Sequence, residues 1–167
     1  AGGTGGGKGN VGRIVLLWAW LMLRLGRRIT VIVANPKVAG EFRWVDGWGR
    51  VASTNGGISL AIRFAYQQLE ARGLECLDAG VDHFFELPAE VQERLGGRLV
   101  FLFDEFSDFI TDPFLPAAKE AMGMVLAIAR KGRALGVNLM INGQHPTGEM
   151  FSPGSAGGAG TALIANL

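Results

Sequence analysis

Cysteine is nearly absent from this chain of 167 residues, and its single thiol, Cys76, has no second cysteine to pair with. An internal disulfide and a zinc site built from several thiols are therefore excluded. Such low cysteine use is typical of a reducing compartment, which predicts a cytoplasmic protein. The only two histidines, His83 and His145, are too far in the sequence from other metal ligands to suggest a metal site.

Long hydrophobic runs are also missing. The longest, residues 14–23, is about half the length of a transmembrane helix and lies between Arg13 and Arg24. We interpret it as a buried helix, so the sequence predicts no membrane-spanning segment in this part of the protein, while an anchor elsewhere in a longer chain stays open. The sequence shows no secretory signal peptide, which would need a basic start and a small-residue cleavage site.

A strong excess of one charge is the third missing feature, since the net charge is only +1. The composition therefore gives no global electrostatic signature of nucleic-acid binding. Within residues 1–50, however, eight lysines and arginines stand against Glu41 and Asp46 alone. This local excess suits a polyphosphate ligand, and it equally suits a solvated basic surface.

The sequence is rich in apolar residues, which make up 49% of the chain, and this content is enough to cover both faces of a sheet. Apolar spacing predicts alternating elements: helix 10–25, strand 29–34, helix 58–74, strand 99–103, helix 115–133 and strand 137–141. We interpret residues 35–57 as a packed loop region and residues 75–93 as a solvated connection in which Pro88 opens a short helix. The alternation predicts an α/β fold, a mostly parallel sheet with helices on both faces.

The first ten residues are a glycine-rich turn that runs directly into an apolar helix. Against the phosphate-binding pattern G-x-x-x-x-G-K-[ST] they supply both glycines and the lysine, but Gly9 occupies the hydroxyl position. Glycines let backbone N–H groups turn toward an anion, and the following helix adds its positive end. The predicted nucleotide-binding residues are Gly2, Gly3, Thr4, Gly5, Gly6, Gly7, Lys8, Gly9 and Asn10. A flexible linker is the alternative, which the apolar helix disfavours.

Two acids, Asp104 and Glu105, follow the apolar run of residues 99–103. A strand inside a parallel sheet delivers its last side chains to the crevice where ligands bind. There Asp104 is predicted to hold Mg²⁺ and Glu105 to polarise the attacking water. Capping of the next helix is the alternative for either carboxylate.

Gln144 follows the last predicted strand, in the segment N-G-Q-H-P of residues 142–146. A neutral amide at this place can contact the γ-phosphate or hold the lytic water, which makes Gln144 a second candidate catalytic residue. An ordinary turn residue is the alternative.

In combination, these segments resemble the motor domain of the FtsK/SpoIIIE family of DNA translocases. Residues 129–146, A-R-K-G-R-A-L-G-V-N-L-M-I-N-G-Q-H-P, are similar to the family's G-R-A-x-G-[IV] turn and its strand ending in T-Q-R-P. The segment Asn35-Pro36-Lys37 looks like the family's D-P-K, and residues 162–167 look like its L-I-x-x-N segment. The order and spacing of these motifs are kept across essentially the whole chain.

The resemblance implies a RecA-like P-loop ATPase of the HerA/FtsK type that binds ATP and Mg²⁺. It further implies a homo-oligomeric ring, usually a hexamer, that translocates double-stranded DNA. Arg130 or Arg133 would then contact the nucleotide of a neighbouring subunit, although stabilisation of a helix carboxyl end explains these arginines equally well. We expect residues 1–167 to be one domain and a fragment that lacks the strand before the phosphate loop and the last strand or strands.

Several positions depart from the family pattern. Gly9 replaces the serine or threonine that ligates magnesium, and because Mg²⁺ accepts water ligands we expect weakened rather than abolished metal binding. His145 replaces an arginine, and Asn35 replaces an aspartate. Residues 147–160 contain no lysine or arginine, so DNA binding rests on the resemblance alone. Two alternatives stay open: a related conjugation or secretion coupling ATPase, and a ring subunit that binds nucleotide without hydrolysing it.

Overall fold

The computed structural model describes residues 8–37, 40–106, 109 and 118–142. In chain order its elements are α1 (Lys8–Arg24), β1 (Ile29–Ala34), a 3₁₀ turn (Arg43–Val45), β2 (Arg50–Ala52), α2 (Asn55–Ala79), a second 3₁₀ turn (Phe84–Glu86), α3 (Ala89–Arg94), β3 (Arg98–Phe103), α4 (Ala118–Lys131) and β4 (Val137–Ile141). The strands form one sheet in the order β2-β1-β3-β4, and every neighbouring pair is parallel. The predicted parallel α/β architecture is confirmed.

Helices cover both faces of the sheet because successive side chains of a strand point to opposite faces. One buried cluster joins α1 to alternate residues of the central strands: Leu16, Ala19, Val31, Val33, Val100 and Leu102. The intervening strand residues pack with α2 and α4 in a second cluster that includes Ile32, Ile62, Leu69, Phe101, Phe103, Val125 and Ile128. Both central strands are therefore buried on two sides, which explains their nearly continuous apolar sequences.

The connection from α1 to β1 follows the sequence prediction closely. Gly26 has a φ of +77°, a left-handed conformation that glycine adopts without steric cost. The amide of Gly26 donates to the Leu23 carbonyl, and the amide of Arg27 donates to the Met22 carbonyl. This glycine cap ends the helix and releases the chain into β1 over the predicted residues.

The prediction that α1 is buried is wrong for the described part of the chain. Among its apolar side chains, only Leu16 and Ala19 are fully buried, and both face the sheet. The outer side carries six large exposed apolar side chains: Val11, Ile14, Leu17, Trp18, Trp20 and Leu21. A helix touches a sheet along one stripe only, so an all-apolar helix needs a second neighbour to be buried, and the described residues do not supply one.

The prediction of a loop over residues 35–57 misses β2. This strand extends the sheet beside β1, with Ile32 opposite Arg50 and Ala34 opposite Ala52. Three residues are too few to show a strand period, and pairing with β1 decides their conformation. The same region also contains the 3₁₀ turn, which buries Val45, and the first residues of α2.

The prediction of a solvated connection over residues 75–93 is also partly wrong. The α2 helix continues to Ala79, and Cys76, Phe84 and Leu87 form a third buried cluster. The acidic residues of this stretch concealed these apolar positions because they lie on the outer side of the same segment. The short helix after Pro88 is confirmed as α3.

The last predicted helix and strand are found as α4 and β4. The helix is described from Ala118, and residues 115–117, the start of the predicted helix, lie outside the described residues. β4 spans the predicted residues 137–141 and follows Gly136, whose φ is +67°. The Gly132 carbonyl accepts a hydrogen bond from the Val137 amide, which fixes the end of α4 against the start of β4.

Candidate nucleotide-binding site

The carboxyl ends of β1, β3 and β4 meet at one edge of the sheet. Ala34 pairs with Phe103, and Phe103 pairs with Ile141. The ladder continues one residue further, since the Asp104 amide donates to the Ala34 carbonyl and the Asn142 amide donates to the Phe103 carbonyl, both at 2.8 Å. This edge is the usual ligand-binding crevice of an open parallel sheet.

Asp104 lies at this edge and interacts with the side chain of Asn142. Burial raises the pKa of the Asp104 carboxyl above its usual range, a hydrogen bond with Asn142 opposes that shift, and nearby Glu105 adds to it. A divalent cation would favour the ionised carboxylate in this setting. Asp104 therefore fits the predicted role of a magnesium ligand.

A single carboxylate is a suitable protein contribution to a magnesium site, because Mg²⁺ keeps several waters and takes further oxygens from phosphates. No group of three or more histidine, cysteine or acidic side chains that could hold a metal occurs among the described residues.

Glu105 adopts an uncommon backbone conformation. Its φ is +54°, and it is the only residue other than glycine with a positive φ in the described part of the chain. Such a conformation costs about 1–2 kcal/mol for a side chain with a Cβ. The next amide, that of Phe106, donates to the Asn142 carbonyl at 3.2 Å, which ties this turn to the end of β4. Strained residues of this kind concentrate at functional sites.

Lys37 contacts Glu105 from the turn that follows β1. Its Nζ atom lies 2.6 Å from Glu105 Oε1, and the Glu105 side chain is only 15% exposed. Asn35, which is buried, shapes this turn, since its Oδ1 accepts a hydrogen bond from the Lys37 amide at 2.8 Å. Sequence reasoning noticed Asn35-Pro36-Lys37 as a motif but assigned Lys37 no partner.

The start of α1 approaches the same edge of the sheet. A Cβ built on Gly12 would lie 3.1 Å from Asn142 Nδ2 and 3.2 Å from Leu102 Cδ2. A side chain at this position would require these neighbours to shift by a few tenths of an ångström, which glycine avoids. Lys8, Gly9 and Asn10 form the first residues of α1. The positive end of the helix is thereby brought to the crevice that holds Asp104.

The other predicted site residues are placed elsewhere or not described. Gly2, Gly3, Thr4, Gly5, Gly6, Gly7 and Gln144 lie outside the described residues. Arg130 and Arg133 are exposed at the end of α4, beside the amino end of β4 and thus at the opposite edge from Asp104. They cannot reach the crevice of their own subunit, so a role at a nucleotide would require a neighbouring subunit.

Three solved structures share this arrangement of elements. The conjugation coupling protein TcpA of pCW3, in a monomer form with ATPγS, matches with a TM-score of 0.73 and 20% identity over 99% of this chain and 45% of its own. At this level of identity the likeness shows the fold alone, which is the RecA-like fold of the matched structures. The expected resemblance to FtsK/SpoIIIE-type ATPases is thereby confirmed at the level of the fold.

The two further structures are of ATPases. EssC (ATPases 2 and 3) from Geobacillus thermodenitrificans matches with a TM-score of 0.59 and 13% identity over 90% of this chain and 27% of its own. The cytoplasmic domain of the type VII secretion ATPase EccC from Thermomonospora curvata matches with a TM-score of 0.55 and 17% identity. The match covers 84% of this chain and 16% of the EccC chain. This chain thus spans less than half the length of each structure. No protein-family model and no curated protein matches the sequence.

No helix within the described ranges is long and apolar enough to cross a membrane.

Proposed function

We propose that this chain is the ATP-hydrolysing motor domain of a translocase that moves double-stranded DNA. The observation that carries the proposal is the meeting of Asp104, Glu105, Asn142 and the start of α1 at the carboxyl edge of one parallel sheet. The fold shared with the TcpA structure, which was solved with ATPγS, supports nucleotide binding. Residues 1–167 would form one domain of a longer, cytoplasmic or membrane-anchored protein.

Phosphate binding is assigned to the glycine-rich segment and the first residues of α1. The proposed contacts come from Gly2, Gly3, Thr4, Gly5, Gly6, Gly7, Lys8, Gly9 and Asn10. Backbone N–H groups and the helix end would attract the phosphates, and Lys8 would neutralise the terminal ones. The close approach of Gly12 to Asn142 supports this placement because it brings α1 to the acidic pair.

Asp104 would hold Mg²⁺, directly or through water. Bound magnesium supplies charge neutralisation on the phosphates during phosphoryl transfer. Because Gly9 offers no hydroxyl, the protein would contribute one fewer oxygen than a site with serine at that position. The hydrogen bond between Asn142 and Asp104 would orient the carboxylate.

Glu105 would act as the general base. It accepts a proton from the water that attacks the γ-phosphorus, while the bond between that phosphorus and the β,γ-bridging oxygen breaks and ADP leaves. Lys37 fixes one oxygen of the Glu105 carboxylate through their ion pair. Gln144 would contact the γ-phosphate or the same water.

A ring of identical subunits, most simply a hexamer, would bring Arg130 or Arg133 of one subunit to the nucleotide of the next. Their exposed position, remote from their own Asp104, supports a contact between subunits. A cation supplied in this way stabilises the charge that develops during phosphoryl transfer.

ATP turnover with and without double-stranded DNA tests the proposal. We expect magnesium-dependent hydrolysis that DNA stimulates, and we expect Glu105→Gln to lower it by about 100-fold or more because the general base is lost. Glu90→Gln, at an exposed position of α3, is the matched control and should keep full turnover. Equal turnover in Glu105→Gln and the parent chain would contradict the assignment of the site.

A coupling ATPase for conjugation or secretion is the second candidate, favoured by the shared fold with TcpA, EssC and EccC. A secretion ATPase that moves protein predicts hydrolysis that double-stranded DNA does not change. A conjugation coupling ATPase that moves DNA would share the stimulation by DNA, and the domains flanking this one would distinguish it from the first candidate. A third candidate is a ring subunit that binds nucleotide without hydrolysing it, which Gly9 motivates. If Gly9→Ser creates magnesium-dependent turnover where the parent chain has none, this third candidate replaces the motor.

A further inference from the structure

A groove of about 440 Å³ lies at the amino ends of β1 and β3. This is the edge of the sheet opposite Asp104 and Glu105. Its volume is within the range of sites that bind small molecules or short peptide segments. The walls come from α1, the turn before β1, the second 3₁₀ turn and α3, and the principal lining residues are Trp18, Arg27, Arg28, Phe85, Glu93 and Arg98.

The lining carries an excess of positive charge. Three arginines face a single acid, Glu93. Arg27 and Arg28 are exposed, and neither forms an ion pair with any described residue. The third, Arg98, is held by a 2.8 Å hydrogen bond to Asn138 Oδ1. Two guanidinium groups are thus available for an anionic ligand.

Apolar surface lies next to these charges. Trp18 and Phe85 are each 43% exposed, which is high for side chains of their size. The guanidinium of Arg98 lies over the Phe85 ring at 4.5 Å, so one aromatic face already has a partner. Trp18 is left to contact an incoming apolar side chain. Exposed aromatic residues beside arginines are the composition enriched in protein interfaces.

The walls of the groove are fixed by backbone contacts. Gly97 has a φ of +67°, and a Cβ at this position would collide with the Arg28 carbonyl oxygen. That oxygen accepts a hydrogen bond from the Arg98 amide, which joins the turn before β1 to the start of β3. On the other wall, Gln92 Nε2 donates to the Leu87 carbonyl at 2.7 Å. A site formed in advance loses little entropy on binding.

We propose that this groove binds an extended peptide segment of a partner protein, in which acidic side chains flank an aromatic or large aliphatic one. Carboxylates match the two-pronged donor geometry of Arg27 and Arg28, and Trp18 contacts the apolar side chain. Glu93 accepts hydrogen bonds from peptide N–H groups, donors that a phosphodiester backbone lacks. The groove is also far too small to admit a DNA duplex. The site lies away from the nucleotide edge and does not depend on ATP hydrolysis.

Fluorescence anisotropy of a labelled peptide, G-D-E-F-D-L-G, with the full chain in the absence of nucleotide tests the proposal. We expect this peptide to bind more tightly than its amide counterpart G-N-Q-F-N-L-G. Arg27→Glu combined with Arg28→Glu should weaken binding at least about tenfold, because two charge-assisted contacts are lost. Arg43→Glu combined with Arg63→Glu, which changes the net charge equally at exposed positions outside the groove, should leave the affinity unchanged.

A second variant tests the proposal without reversing the charge of any arginine. Glu93→Gln removes the negative charge of the one acid in the lining but keeps an oxygen that can accept hydrogen bonds from peptide N–H groups. It should therefore tighten binding of the acidic peptide severalfold, even if the double reversal fails to fold. Equal affinity for the acidic and amide peptides would overturn the proposal, as would an unchanged affinity in Glu93→Gln. Binding of single-stranded oligothymidylate in place of the peptide, sensitive to the same arginines, would assign the groove to nucleic acid and also overturn it.

Discussion

The Nζ atom of Lys37 lies 2.6 Å from Oε1 of Glu105, so the turn after β1 holds the side chain that follows β3. Neighbouring strands make this contact possible, since Ala34 and Phe103 are paired in the sheet. The pair is partly shielded from water, with the two side chains 45% and 15% exposed. An ion pair in this setting stabilises a protein by up to about 1 kcal/mol. The more important effect of this ion pair is that it fixes the position of the Glu105 carboxylate.

Replacing Lys37 by methionine should therefore lower kcat for ATP about tenfold with little change in KM, because a misplaced base slows the chemical step more than it weakens nucleotide binding. Steady-state ATP hydrolysis measures both constants. Lys37→Arg keeps the charge and should retain most of the rate. A rise in KM with an unchanged kcat would mean that Lys37 acts on the nucleotide and not on Glu105.

The positive φ of Glu105 leads to a second prediction. At a φ of +54°, a residue with a Cβ is destabilised by about 1–2 kcal/mol, a free-energy cost that glycine avoids. Glu105→Gly should therefore be about 1 kcal/mol more stable than Glu105→Ala, although both lose the same carboxylate. Urea denaturation of the two variants isolates the backbone effect. Equal stabilities would show that the turn relaxes to a negative φ once the carboxylate is gone.

Elements with a mainly apolar run were predictable from the sequence. β1 and β4 have the predicted bounds because each run begins at a glycine-containing turn and ends at an asparagine. β2 was missed because its three residues depend on pairing with β1. The exposed outer side of α1 was also missed, since composition shows that a helix is apolar but not how many neighbours cover it.

The structure shows where part of the predicted site lies, while the roles of its residues stay predictions. Asp104 and Glu105 lie at the expected edge, whereas the placement of Gln144 and of the glycine segment before α1 stays a prediction. The contact between Lys37 and Glu105 depends on the register of two strands that are distant in the sequence. No local pattern contains that register, so this part of the site required the structure.

Because Asp104 is partly buried, we predict that a neutral residue in its place makes the fold more stable but weakens magnesium binding. Its pKa is raised mainly by burial, so the folded state binds the proton more strongly than the unfolded state does. The stabilising effect of protonation is present below the ordinary aspartate pKa of 3.8 and is lost as the pH rises through the folded-state value. Asp104→Asn should therefore raise the melting temperature at neutral pH, and the gain should shrink on acidification toward pH 4.

The same variant should lose the stabilisation that Mg²⁺ and ADP give to the parent chain, because a neutral amide is a poor substitute for a magnesium-binding carboxylate. Thermal unfolding with and without Mg²⁺ and ADP measures both effects. A melting temperature that falls at neutral pH without ligand would contradict the account of Asp104 as a carboxylate whose burial is unfavourable.

Substitution of Arg72, which lies outside the candidate nucleotide site, is expected to destabilise the fold strongly. It is fully buried, donates to the carbonyls of Leu135, Gly136 and Leu95, and lies over the Phe84 ring at 4.4 Å. Burial lowers its pKa to about 10, so it stays charged at neutral pH. Arg72→Lys should lower the free energy of unfolding by about 2–3 kcal/mol, because an ammonium cannot reproduce this set of hydrogen bonds.

Arg63→Lys is the matched control for Arg72. Arg63 is 52% exposed and pairs with Glu120, so this change should alter the free energy of unfolding by less than about 0.5 kcal/mol. Urea denaturation at neutral pH compares the two variants. Equal losses would show that the carbonyl contacts of Arg72 add nothing to stability.

Two helical glycines provide a last, paired prediction. Gly12 of α1 faces Asn142 and Leu102 at distances that leave no room for a methyl group without movement, whereas a Cβ on Gly123 of α4 would meet no atom within 4 Å. Gly123→Ala should raise the free energy of unfolding by about 0.5–1 kcal/mol, because alanine favours the helix. Gly12→Ala should lack this gain and should also raise KM for ATP, since the displaced Asn142 orients Asp104. If Gly12→Ala stabilises the chain as much as Gly123→Ala and leaves KM unchanged, then the close approach of α1 to the end of β4 does not shape the nucleotide site.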